Sequence, residues 1–106
     1  MSERISLFLK KLEKNQGNLL NRFSLAQAFF EEGQYEQAIP HLKECVKGRP
    51  DWMMAYLFLA KSYIASDQES FARESLEVTI KLAQDQDHED PRDEARALLE
   101  EINKGK

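Results

Sequence analysis

Sliding the chain along itself by 34 residues lays Leu25 on Leu59, Ala26 on Ala60, Phe29 on Tyr63 and Phe30 on Ile64. The same shift lays Ala38 on Ala72, Leu42 on Leu76 and Val46 on Ile80. Agreement in size and polarity at one offset marks an internal repeat, and a repeat of this length is one supersecondary unit stacked on its neighbour. The matched positions fall three and four apart, the spacing of one helix face, while strand-like alternation is absent. Each unit therefore holds helices. The alanines have a packing reason: two helices approach closely only where one offers a small side chain to the other's bulk. That is the role expected of Ala26 and Ala60, and of Ala38 and Ala72. Gly33 permits a tight reversal inside the first unit.

Six helical stripes follow from the same spacing. Ile5, Phe8, Leu9 and Leu12 make the first, closed by Asn15–Asn18; Leu25 to Phe30 carry the second, closed by Gly33. Tyr35, Ala38, Leu42 and Val46 carry the third, and Pro40 inside it should remove a backbone bond and bend the helix. Asp51 is the expected N-cap of the fourth, along which Trp52, Tyr56, Leu59 and Tyr63 form a core stripe. Phe71, Ala72, Leu76, Thr79 and Ile80 carry the fifth. Ala95, Leu98, Leu99 and Ile102 complete the sixth, with Pro91 suited to its first turn. The flanks keep the register. Ile5, Phe8 and Leu12 fall one repeat before Ile39, Leu42 and Val46, so the first helix reads as the second half of a truncated repeat. The last helix copies Tyr56, Leu59, Ala60 and Tyr63 at a shift of 39, which implies a five-residue insertion at Asp87–Pro91.

On these residues the sequence resembles the tetratricopeptide repeat (TPR) family. Residues 19–52 carry its pattern at Leu25-Ala26, Phe29, Gly33, Tyr35, Ala38, Leu42 and Pro50, departing at Arg22 and Cys45. Residues 53–86 keep Tyr56, Leu59-Ala60, Tyr63, Ala72 and Leu76, departing at Asp67, Glu69, Thr79 and Gln84. The resemblance implies one all-α domain, an antiparallel helix-hairpin stack of about six helices. Residues 1–18 would be an N-terminal capping helix, and residues 87–106 an acidic loop with a C-terminal capping helix. It also implies a non-catalytic protein-interaction module that takes a partner peptide or helix in an apolar concave groove.

The chemistry-bearing residues agree with a non-enzyme. Cys45 is the single cysteine, and only two histidines, His41 and His88, are present. One thiol excludes an internal disulfide or a cysteine-based zinc site. Cys45 sits on a packing stripe and reads as a buried, inert thiol. His41 reads as a solvated surface residue. The four glycines are scattered, so no phosphate-cradling loop exists. The run Asp85–Asp90 alternates oxygen ligands as a calcium loop does, but Asp90 and Arg96 stand where such a loop needs Gly and Glu. No cofactor and no metal are expected. A formal charge of −4 lacks the basic face that nucleic acid requires, and no apolar run approaches a membrane span. The stretch Ile5–Leu9 is too short for a signal peptide and runs into Lys10 and Lys11. A cytoplasmic location is expected.

A second apolar stripe remains on the first helix of each unit, at Leu20, Phe23 and Phe30, then at Met54, Leu57 and Ile64. Gln27 and Lys61 punctuate it. By the resemblance these eight residues line the partner-binding groove, and the partner is another protein or peptide. The alternative is a homodimer, a self-associating scaffold using the same groove, since two full repeats bury little area alone. The groove type that clamps a chaperone's carboxyl terminus is disfavoured, because Phe23, Gln27 and Phe58 stand where it places Lys and Asn. Charge is uneven: residues 1–17 carry +2 and residues 85–106 carry −4, so head-to-tail contact of the two ends is a further possibility.

Overall fold

Two of the helices are started by their own side chains. The Ser2 hydroxyl accepts from the Ile5 amide at 3.1 Å and the Asn18 carbonyl oxygen from the Asn21 amide at 3.0 Å, each satisfying a first-turn donor. The computed structural model describes residues 2–105, and all their regular structure is helical. The helices are α1 (Glu3–Lys14), α2 (Leu19–Glu31), α3 (Tyr35–Gly48), α4 (Met53–Ala65), α5 (Glu69–Asp85) and α6 (Glu89–Lys104). Asp51 does not cap α4: that helix starts one residue later than the capping geometry needs, with Trp52 at the cap position and no side-chain bond there. Pro91 lies in the first turn of α6, where its missing N–H costs nothing.

Three of the reversals are the same device. Gly33 (φ 76°), Asp67 (φ 60°) and Asp87 (φ 57°) each adopt the left-handed conformation. The following amides of Gln34, Gln68 and His88 then donate back to the carbonyls of Phe29, Tyr63 and Ala83, each at 2.8 Å. These bonds satisfy carbonyls that the helix ends leave free. The acidic stretch therefore holds no five-residue open loop. α5 runs through Asp85, the connection is only 86–88, and Glu89 and Asp90 open α6.

Each helix packs on its successor, and α4 also touches α2 and α6. Helices α1, α3 and α5 make no such mutual contacts, so gaps remain between them over α2 and over α4. The core runs through the stack as one cluster. Ala26, Ala38, Ala60 and Ala72 are each 0% exposed within it, the close approaches the offset demanded. Cys45 and Thr79, where the repeat pattern has Ala, are equally buried. Their polar atoms bond to carbonyls: Cys45 Sγ to Leu19 at 3.7 Å and Thr79 Oγ1 to Ser75 at 2.8 Å. α3 is continuous across Pro40, which faces solvent. Glu36, whose carbonyl loses the Pro40 donor, is exposed as well, on a side open to water.

Candidate protein-binding site: an aromatic row on the first helices

On the side formed by α2, α4 and α6, aromatic rings run in file. Trp52 packs against Phe23 at 4.7 Å with the rings tilted by 33°, Phe23 meets Phe58 edge-on at 5.8 Å, Phe58 meets Phe30 at 5.2 Å, and Phe30 meets Tyr35 at 5.1 Å. All five rings are half-buried. Edge-to-face pairs at these spacings add attraction beyond the area they bury. Two cations sit on the file: the Arg49 guanidinium 4.6 Å from the Trp52 ring and the Lys61 ammonium 5.7 Å from the Phe58 ring. Lys61 also pairs with Glu94 of α6, which ties the third helix of this side to the row.

The eight expected groove residues do not behave alike. Leu20 is 62% exposed and Met54 37%, both large apolar side chains left in water. Phe23, Gln27, Phe30, Lys61 and Ile64 are half-buried, Phe23 and Phe30 within the aromatic file. Leu57 is 1% exposed and belongs to the core, so no partner reaches it. α4 is the central helix, with neighbours on four sides, and only a narrow strip of it faces out. Phe58 occupies that strip instead. Its signal was present in the spacing Met54, Phe58, Lys61 (i, i+4, i+7), one face adjacent to the stripe through Leu57. Trp52 is likewise not core: it sits half-exposed before α4, as the first ring of the row.

The groups whose ionisation the fold shifts lie off this row, on α3 and α4. His41 is half-buried rather than free in solvent: its ring stacks on Phe29 at 5.9 Å with 9° between planes. Arg22 Nη1 donates to His41 Nδ1 at 3.2 Å, and Arg22 Nη2 donates to the Gln16 carbonyl at 3.3 Å. Burial first, and the Arg22 charge second, hold this imidazole below its ordinary 6.5. Burial pushes the Cys45 thiol up to about 11, the nearby Arg22 opposing it and Glu44 adding to it. Burial, then Glu74, raises the Tyr63 phenol. A thiol so placed has too little thiolate for nucleophilic chemistry. Among the described residues no helix is long and apolar enough to cross a membrane.

This architecture recurs among known proteins. Protein BPP2914 of Bordetella parapertussis shares the fold with a TM-score of 0.84, covering 99% of this chain and 91% of that one at 23% identity. The TPR repeat-containing protein PA0015 of Pseudomonas aeruginosa is 31% identical over 74 residues, 70% of this chain and 70% of its own. The fold is thus a TPR-like all-α stack, and TPR-like proteins are in general non-catalytic modules of protein–protein interaction. The family model described as regulator of microtubule dynamics protein 1-3 matches residues 5–103, and the chain belongs to that family.

Proposed function

We propose that the protein binds a partner peptide or helix along the aromatic row, without catalysis, and that the repeat units are 19–52 and 53–86 between two capping helices. The observation that carries this reading is the unbroken file from Trp52 to Tyr35, flanked by Leu20 and Met54 in water. A run of half-exposed rings beside stranded aliphatic side chains is surface that gains when covered. The row offers an amphipathic segment apolar anchorage. Lys61, Arg49 and Gln27 supply polar contacts that fix its orientation.

The test uses the two side chains that burial does not need. Leu20→Ser with Met54→Ser should leave Tm within a few degrees of the parent, because both residues already face water. Partners cross-linked from native extract through a photoreactive residue at position 27, present in both proteins, should disappear in that double variant. Retention of the same partners at full yield would refute the row as the binding surface. A homodimer through this surface would instead show the protein itself as the cross-linked species, with scattering mass rising with concentration.

A further inference from the structure

The gap over α2 and the gap over α4 are one feature seen twice, at the repeat offset. Leu9, Leu12, Glu13 and Arg22 line the first. Their counterparts 34 residues on, Lys43, Val46, Lys47 and Tyr56, line the second. Both are open clefts, the first of ≈ 260 Å³ and the second of ≈ 510 Å³. The difference has a side-chain cause. In the first, the Arg22 guanidinium meets the His41 imidazole, which lies flat on Phe29. In the second, His41 is replaced by Ser75, Arg22 by Tyr56 and Phe29 by Tyr63. The planar, nitrogen-rich plug has gone and an aromatic floor remains. Phe71, 54% exposed, flanks Tyr63 at 5.4 Å and makes one end of it.

The walls of the second cleft carry both signs of charge. Lys43, Glu44 and Lys47 line it from α3 and Glu74 from α5, while Glu77 and Lys81 line the adjoining stretch of α5. In the first unit the positions of Glu44 and Glu74 hold Lys10 and Pro40, so these carboxylates are peculiar to the open copy. The geometry points to a docking cleft for an arginine side chain of a partner polypeptide, seated on Tyr56 and Tyr63 where the first copy holds its own guanidinium and imidazole. Glu44 and Glu74 pair with the guanidinium, whose planar face stacks on rings better than an ammonium does. A carboxylate one turn away on the partner meets Lys43 or Lys47. This surface lies on the opposite side of the stack from the aromatic row, so it stands or falls without that reading.

The probe is an alanine-based helical peptide carrying one Arg and, one turn away, one Glu, titrated into isotope-labelled protein. Saturable amide shifts are expected at Val46, Ser75 and Val78. Replacing the peptide's Arg by citrulline, which keeps the planar shape and removes the charge, should weaken binding about tenfold, equal to about 1.4 kcal/mol. Glu74→Gln, on an exposed wall, should weaken the Arg peptide similarly and leave the citrulline peptide unchanged. Ser75→His returns the imidazole half of the first unit's plug and should weaken binding by narrowing the cleft. Should that variant unfold, the Glu74→Gln titration decides alone. Equal affinity for the Arg and citrulline peptides, undiminished binding to Glu74→Gln, or shifts confined to Phe23 and Phe58 would each overturn the assignment.

Discussion

His41 shows how one contact turns a surface position into a structural one. Its Nδ1 accepts from Arg22, a group that only donates, so the ring is neutral with its proton on Nε2. The folded state holds its ionisation below the ordinary value of 6.5, so folding favours the neutral ring. The resulting stability is complete above that unfolded value and drains away as pH falls through the lower folded one. Thermal melts should therefore lose Tm between neutral and mildly acidic pH, and His41→Gln should flatten that slope; an unchanged slope would show that other groups cause it. Asp67 is the second telling residue. It stands where the first unit has Gly33 and adopts the same left-handed φ, here 60°. A side chain strains that conformation, and Asp tolerates it only through its short polar group. Asp67→Gly should raise stability by about 0.5–1 kcal/mol after the added unfolded-state entropy is deducted. Calorimetry of the variant checks this.

At the scale of the helix, Pro40 is the sharpest disagreement between local rule and outcome. It removes the bond to Glu36, yet α3 runs unbroken from Tyr35 to Gly48. The buried face of Ala38, Leu42 and Cys45 holds the helix in place, and tertiary packing outweighs the local loss. The second unit carries Glu74 at the same position. Pro40→Glu should restore the bond and stabilise by about 1–2 kcal/mol, seen as a higher urea midpoint at unchanged m. The helices themselves were legible in the sequence because burial imposes their period, and Ala26, Ala38, Ala60 and Ala72 marked the crossings. Their ends were less so. The Asp85–Asp90 run has the composition of a loop, but a turn closed by backbone bonds needs no particular side chains beyond Asp87. The candidate site was half legible. Phe23 and Phe30 lay on an evident stripe, whereas Leu57 and Phe58 differ by one step around α4, and only its neighbours decide which is covered.

For the whole molecule, the register of α1 bears on whether copies stack end to end. At the repeat offset Arg4 and Lys11 correspond to Ala38 and Cys45 in α3, and to Ala72 and Thr79 in α5. All four of those residues are fully buried against the preceding helix. Arg4 and Lys11 are exposed; Arg4 pairs with Glu31, and the Lys11 ammonium lies 5.3 Å from the Phe8 ring. A helix docked on α1 as α2 docks on α3 would strip water from both charges, and burial of an unpaired charge costs several kcal/mol. The acidic α6 of a second copy would compensate only in part, since Arg92, Arg96 and Lys104 interrupt its carboxylates. The exposed Leu7, 50% accessible between the two cations, adds too little apolar area to offset this. The protein should therefore show a concentration-independent mass through this end at physiological salt. Replacing Arg4 and Lys11 together by Ala restores the small residues that α3 and α5 carry there or nearby in volume. That variant should self-associate, its scattering mass rising with concentration. A variant that stays at the parent's mass would show that the two charges are not what keeps this end of the stack from growing.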